Sequence, residues 1–497
     1  MKGFLKVYLW GEEIGRLAWH DTRKLTYFNF NPEFLRGNLD IAPIVASIHS
    51  PVSKLAIFGE TERIYQKLPS FIADSLPDSW GNQLFEQWRR QQRITDRSVT
   101  PLEKLAFIGR RGMGALEFVP EIDRGITPGN ISIKALADLA QKIVEERENV
   151  LISPEEGLTM QSLITVGTSA GGRQPKGIIA INTKTNEIRS GQVDNDPDFE
   201  YFLLKFGNNQ LSLAEIEQTY YQMATASGIS MMESRLLEVE GTKHFLTKRF
   251  DRNISGKLHT QTLAAMNPDA ESYESLITVC RQLHLPESDC QEVFRRMVFN
   301  IITNNTDDHN KNFAFVMERN GKWHLSPAYD MTFIFDTGGF LPNKDHCLMI
   351  GGKLQDFSKE DIISFARENG IRKPEGIIQK VVDAAKQFRQ LAQQNGVKDE
   401  WIGRIENCIN THLATWGYET SPQSYSYSEN GIDVADAHIE STYKGNYHLL
   451  ATVNSKESKY IIRIGHPEHA AITTLGLSNI SEDKIRQLVR EYILSRL

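Results

Sequence analysis

The chain has 497 residues, with 40% hydrophobic and 24% charged residues and a net charge of −7, the balance of a globular protein of about two to four domains. That acid excess excludes a protein that coats nucleic acid through bulk charge, although a local basic face stays compatible with it. Cys280, Cys290, Cys347 and Cys408 lack C-x-x-C spacing, the N-terminus lacks the apolar stretch of a signal peptide and no run has the length of a membrane span, so reduced thiols, a cytoplasmic location and no membrane contact are expected.

Residues 4–18 alternate like a hairpin, Phe4–Trp10 and Ile14–Ala18 about a turn at Gly11-Glu12-Glu13, and Leu25–Phe30 is a further extended stretch. Leu76-Pro77-Asp78-Ser79 opens a helix that carries Leu84, Phe85 and Trp88, with Asp78 or Ser79 as N-cap. Gly109-Arg110-Arg111-Gly112-Met113-Gly114 lacks the Lys-Ser/Thr of a P-loop and reads as a glycine turn. Residues 123–129 read as a linker that closes a first domain near Gly125.

A helix is predicted from Ser132 to Glu146. Val166 to Lys176 then lies between apolar Leu163-Ile164 and the run Gly177–Ile181, which predicts strand, glycine loop, strand. Such a loop can bring backbone N–H groups against a phosphate because no side chain blocks the approach; a long hairpin is the plain alternative. Phe202–Phe206 is a short apolar strand interrupted by Lys205, and a lysine in a buried run needs a negative partner. Glu217, opening a helix over Glu217–Ser227 that Gly228 caps, is either that partner or an acid favouring a helix N-terminus. Phe245–Arg252 reads as another strand.

Val293, Phe294, Met297, Val298, Ile301 and Ile302 form one face of a helix over residues 287–303. The polar loop after it places Asp307 and Asn312 with four residues between them, the spacing of a protein-kinase catalytic loop. Asn312–Met317 reads as a strand, turned at Gly321 into Trp323-His324-Leu325, and Asp330 follows in Ser326-Pro327-Ala328-Tyr329-Asp330-Met331. Phosphoryl transfer needs a carboxylate for the proton of the attacking hydroxyl and two oxygen ligands for Mg²⁺, and Asp307, Asn312 and Asp330 have that chemistry. A polar turn built from Asp and Asn for their local hydrogen bonding is the plain alternative. Helices are expected over Lys359–Asn369, Pro374–Asn395 and Asp399–Leu413, then a polar linker over Gly417–Asn430. Residues 431–497 read as a strand pair, Tyr447–Val453 and Tyr460–Ile464, and a helix from Glu482 to Leu497. His448, His466 and His469 lack metal-site order and read as surface residues.

Thr306-Asp307-Asp308-His309-Asn310-Lys311-Asn312-Phe313 followed by Ser326–Met331 resembles the signature of the HipA family of bacterial serine/threonine kinases, the toxin halves of toxin–antitoxin pairs. The resemblance covers residues 1–418 and implies an α+β chain: a HipA-type β-rich domain at 1–125, then a two-lobed protein-kinase-like fold with its small lobe at 126–252 and its large lobe at 253–418. The 431–497 extension resembles no family and stands as a small α+β module.

By this resemblance Asp307 is the catalytic carboxylate that accepts or orients the proton of the nucleophile, supported by His309 and Lys311, while Asn312 and Asp330 hold Mg²⁺. ATP is expected on Lys205, Glu217, Lys248, Phe250 and Lys176, and on a loop comprising Gly167, Thr168, Ala170, Gly171 and Gly172. Ser169 in that loop is expected to be autophosphorylated and self-inhibiting, with Thr168 as the competing acceptor. The resemblance further implies a substrate in translation, such as an aminoacyl-tRNA synthetase, and a HipB-like helix-turn-helix antitoxin through which alone DNA is reached. A catalytically silent corepressor and a small-molecule phosphotransferase are the other readings. The presence of Ser169, Lys205, Asp307, Asn312 and Asp330 weighs against the first, and the N-terminal domain against the second.

Overall fold

The computed structural model describes residues 3–77, 79–94, 99–122, 131–146, 156–167, 174–192, 197–208, 211–334 and 345–419, together with the backbone of five strands between Tyr427 and Thr474. The chain divides into two units, residues 1–337 with 342–412, and residues 413–497 with 338–341. Among the described residues no helix is long and apolar enough to cross a membrane.

The N-terminal part of the large unit is a five-stranded antiparallel sheet in the order Ile57–Phe58, Leu25–Phe30, Glu12–His20, Phe4–Leu9, Leu116–Val119. Alternation turns Leu5, Val7 and Leu9 inward, as the period-two pattern requires. The first hairpin turns at Trp10-Gly11, both with positive φ (51° and 88°), one step earlier than the sequence reading placed it. Phe28 meets Phe30 and Phe71 edge-on, with ring centroids 4.9 and 5.4 Å away, and so locks the sheet to the helix Ser70–Ala73.

A second antiparallel sheet has the order Ile188–Ser190, Lys176–Asn182, Phe199–Lys205, Thr242–Lys248, Ser234–Val239. It is the small-lobe sheet, and the helix Leu213–Ala226 packs on it. The first domain and this sheet share one core. Trp80, Leu84, Phe85, Trp88 and Phe107 pack with residues of the helices Ile133–Glu146 and Glu156–Gly167 and with Phe202, Leu204 and Leu246 of the sheet.

The large lobe carries the helices Tyr273–Gln282, Glu287–Thr303, Lys359–Glu368, Pro374–Ala385 and Phe388–Asn395, the helix Asp399–Thr415 at its end, and the three-stranded sheet His259–Thr262, Ala314–Met317, Trp323–Leu325. Asn304, at φ 56°, ends the long helix Glu287–Thr303 and turns the chain into the polar loop.

Five sequence expectations are corrected. Leu163 and Ile164 lie in the helix Glu156–Gly167, so a helix stands where the first of the two strands was expected. Met160, Leu163, Ile164 and Gly167 fall at i, i+3, i+4 and i+7 and are all buried, a periodicity that the short apolar pair alone does not reveal. The helix containing Glu217 begins at Leu213, placing Glu217 one turn inside it. The strand expected from Asn312 begins at Ala314. The helix expected over Pro374–Asn395 is two, broken where Gln387 N–H bonds Ala384 O in a tightened turn. Tyr427–Glu429, assigned to the linker, pairs with Ile432–Tyr443.

The smaller unit contains an antiparallel sheet in the order Tyr427–Glu429, Ile432–Tyr443, Asn446–Ser455, Lys459–Gly465, Thr473–Thr474. The central strand Asn446–Ser455 and its neighbour Lys459–Gly465 contain the expected pair, with Val453 opposite Tyr460. The helix expected over residues 482–497 lies outside the described residues.

Candidate active site

A cleft of about 390 Å³ is lined by Lys205, Glu217, Lys248, Phe250, Asp307, His309, Lys311, Asn312 and Asp330 among others. Residues 125 positions apart in sequence therefore converge: Lys205 from the end of the central strand Phe199–Lys205, Asp330 from the segment after the large-lobe sheet.

Lys205 is buried, and its ammonium donates to both Glu217 and Asp330. Burial works against its charge, but the two carboxylates outweigh it and hold the lysine well above its ordinary pKa. Burial also opposes ionisation of Asp330, yet the Lys205 and Lys176 charges pull it well below the usual carboxylate range. Glu217 is pushed up by burial, with Lys205 opposing. One lysine against two acids leaves one excess negative charge in this triad, an environment suited to a cation. Asp330 has φ 53°, a left-handed conformation that costs an Asp little and turns its side chain back to Lys205.

Asn312 donates Nδ2–H to the carbonyl of Asp307 at 2.7 Å, which closes the turn of the polar loop and leaves its amide oxygen as an acceptor. The Asp307 side chain is about half exposed, with Nε2 of His309 3.7 Å from its carboxylate. The loop is anchored from behind by Asp308, fully buried, which accepts from Tyr273 Oη and His346 Nδ1 and from the Cys347 backbone N–H at 2.7, 2.8 and 2.7 Å. On the floor, Tyr329 donates to the Lys311 carbonyl at 2.7 Å and stacks on Phe250 with centroids 5.6 Å apart.

Two matches define what the chain is similar to. Residues 5–119 match the HipA N-terminal domain and residues 168–389 the HipA-like C-terminal domain, together about two thirds of the chain. This chain belongs to the HipA family. Its likeness to a solved HipA, that of a Shewanella oneidensis MR-1 toxin–antitoxin complex of HipA, HipB and operator DNA, has a TM-score of 0.59 at 16% identity, over 83% of this chain and 98% of that one. A protein of Sinorhizobium fredii named "Putative kinase Y4dM" is 22% identical over 83% of this chain and 96% of its own length. A Haemophilus influenzae protein named "Putative kinase" is 26% identical over 38% of this chain, the match spanning 60% of that relative's length.

Within this HipA fold, the acidic and amide residues expected at the site meet in the cleft, and three other expectations change. Gly167 faces the core: a Cβ there would lie 2.4 Å from Leu84 Cδ1 and 3.0 Å from Trp80 Nε1. Lys176 is buried and sits directly across from Lys205 in the sheet register, acting on Glu217 and Asp330 from behind the cleft. The Lys248 side chain pairs with Glu200, so its ammonium has a partner other than a nucleotide. Thr168, Ser169, Ala170, Gly171 and Gly172 lie outside the described residues. Asp74, Met231, Met232 and Tyr329 line the cleft and were missed. Tyr329 stood inside a motif already singled out, whereas Asp74 has no local signal.

Proposed function

We propose that this HipA protein is an ATP- and Mg²⁺-dependent serine/threonine protein kinase. The observation that carries the reading is Lys205, buried and bonded to both Glu217 and Asp330 in the cleft that also holds Asp307 and Asn312. The residues fit the cofactor. Among the described residues no cluster of three His, Cys, Asp or Glu side chains forms a metal site of its own, so a cation would be held by Asn312, Asp330 and phosphate oxygens together. Bound Mg²⁺ supplies charge neutralisation of the phosphates.

Lys205 would hold phosphate oxygens and Asp330 the cation, with Glu217 keeping the ammonium in place. Lys248–Phe250 line the adenine end; the Phe250 N–H, unpartnered among the described residues, is a donor there. Asp307 would accept the proton of the attacking hydroxyl as its oxygen bonds to the γ-phosphorus and the bond from that phosphorus to the β–γ bridging oxygen breaks, ADP leaving with the electron pair, with Asn312 fixing the loop.

We further propose a toxin role, with a HipB-like helix-turn-helix antitoxin as partner, DNA contact through that antitoxin, a translation component such as an aminoacyl-tRNA synthetase as substrate, and self-inhibition by phosphorylation of Ser169. Lys176, being buried, is unsuited to holding an ejected phospho-loop, which leaves Arg173 for that task.

Incubation with labelled ATP and a bacterial protein mixture tests the enzyme. The wild type transfers phosphate, whereas Asp307→Asn loses about 10²–10⁴-fold of the rate with its nucleotide affinity retained. Transfer by Asp307→Asn at the wild-type rate overturns the assignment. Peptide mapping locates the acceptor, and growth arrest equal in wild type and Asp307→Asn favours the corepressor.

A further inference from the structure

Next to Asp307 in the polar loop stands a second acid, Asp308, with no part in the transfer chemistry. Its side chain is fully buried, and its donors among the described residues include no lysine or arginine. A carboxylate taken out of water is costly unless other donors replace the water. Three do so, from two directions. Tyr273 Oη, at the start of the helix Tyr273–Gln282, donates at 2.7 Å and itself accepts from Asn300 Nδ2 at 2.9 Å. His346 Nδ1 and the Cys347 backbone N–H donate at 2.8 and 2.7 Å from a segment that follows the large-lobe sheet in the chain.

That segment is a clip closed on itself and fastened to the same helix. His346 N–H donates to the Leu354 carbonyl at 2.8 Å and Lys353 N–H to the Ile350 carbonyl at 3.0 Å. Met349 N–H donates to the Glu271 carbonyl and Tyr273 N–H to the Met349 carbonyl, both at 3.0 Å, and Gly351 N–H reaches Glu274 Oε1 at 2.8 Å. Tyr273 is thus held by the clip at its main chain and by Asp308 at its hydroxyl. The nearly buried His346 ring meets Phe357 edge-on with centroids 5.4 Å apart, which restricts the swing of its Nδ1. One carboxylate therefore ties loop, helix and clip together, and one peptide link away Asp307 lines the cleft.

We propose that His346 is a positioning residue of the transfer site: by holding Asp308 it fixes the backbone from which Asp307 meets the attacking hydroxyl. A displacement of about 1 Å at a reacting group can cost on the order of 10²-fold in rate, so a loop held from behind matters to the chemical step. Nucleotide affinity is a separate matter, since Lys205, Asp330 and Phe250 stand on other elements. The proposal rests on the kinase reading. It differs from a purely structural bond between His346 and Asp308 in acting on kcat, and in acting only through Asp307.

Full-length variants separate the two, with labelled ATP, casein as acceptor and the protein's own modification as readouts, each assayed well below its melting temperature. His346→Leu removes the donor and keeps an apolar side chain against Phe357; it is expected to lower kcat about tenfold while KM for ATP stays near wild type. His346→Asn, whose amide N–H can stand where Nδ1–H stood, restores kcat to near the wild-type value. Added to Asp307→Asn, His346→Leu costs nothing further, because it acts through the carboxylate already removed. Should His346→Leu not fold, Tyr273→Phe takes its place: it deletes another donor to Asp308, keeps the ring against Phe313, and is expected to lower kcat with KM unchanged. A wild-type kcat in whichever of the two folds, a His346→Asn as slow as His346→Leu, or losses that multiply with Asp307→Asn overturns the proposal. So does a change confined to KM. A wild type that transfers no phosphate to either acceptor removes the kinase reading and this proposal with it; an active wild type with an indifferent His346→Leu removes the proposal alone.

Discussion

Lys205 is the charge around which the cleft balances. Glu217 and Asp330 are tolerable in a buried place because that ammonium bonds to both. Removing it leaves two carboxylates and only Lys176 behind them. Lys205→Met should therefore destabilise the protein by about 3–5 kcal/mol, the cost of an orphaned buried charge, and abolish phosphoryl transfer. The loss should shrink on acidification, because Glu217, already pushed up by burial, takes up a proton first. Urea midpoints of wild type and variant between pH 5 and 8 (about the range of ordinary stability) check this; equal midpoints throughout would show that the lysine holds no charge balance. The residues of this centre differ in how far the sequence exposed them. Asp307 and Asn312 stand in one loop, so their spacing was readable, and Lys205 was flagged by being a charge inside an apolar strand. Asp74 lies 188 positions from its partner Thr262, and no local pattern encodes a contact that only the docking of two domains creates.

At the scale of elements, the strand His259–Thr262 makes a pH prediction. His259 is buried against Trp323, with ring centroids 5.6 Å apart, and Gln261 donates to it and to the Ile41 carbonyl. Burial lowers the His259 pKa to about 4 and also lowers that of His244, whose Nδ1 accepts from Gly207 N–H. A folded pKa below the unfolded one means that the unfolded chain binds protons first on acidification. Their stabilising contribution is complete above about pH 6.5 and falls away as the pH drops toward 4, by about 3 kcal/mol for His259. Wild type minus His259→Leu, compared by urea midpoint at each pH, isolates that part from the carboxylates. A difference that does not vary between pH 6.5 and 4 would mean that His259 titrates alike in both states. Elements themselves were read with uneven success for one physical reason. The hairpin strands and the helix Glu287–Thr303 are long enough to declare their period. The pair Leu163-Ile164 does not declare a helix, because its helical partners Met160 and Gly167 include a glycine, whose burial comes from close approach to Leu84 rather than from being apolar.

For the large unit as a whole, the decisive fact is that the N-terminal domain and the small lobe do not own separate cores. Leu84, fully buried in the helix Ser79–Gln91, belongs to the cluster that includes Leu204 and Leu246 of the small-lobe sheet. The polar ties follow the same line: Trp80 Nε1–H donates to the Lys176 carbonyl at 2.8 Å. At the end of the small lobe, Gly114 N–H donates to Asp251 at 2.7 Å, a carboxylate that Arg249 and Arg252 also hold. A modular domain on a linker would melt by itself, but a shared core predicts that this one melts with the kinase-like lobes. Leu84→Ala, which leaves a cavity between domain and sheet, should cost about 2–5 kcal/mol and move the whole transition of the large unit rather than split off an early one. Mg²⁺-ATP, if it binds the cleft, should raise the same transition in both proteins, since ligand linkage acts on whatever unfolds with the site. Calorimetry with and without nucleotide, with tryptophan fluorescence following Trp80 and Trp88 of the N-terminal domain, measures both effects. A fluorescence transition that drops with Leu84→Ala while the nucleotide-responsive transition stays in place would make the domain an independent passenger, and would also remove the ground on which it contributes a residue to the cleft.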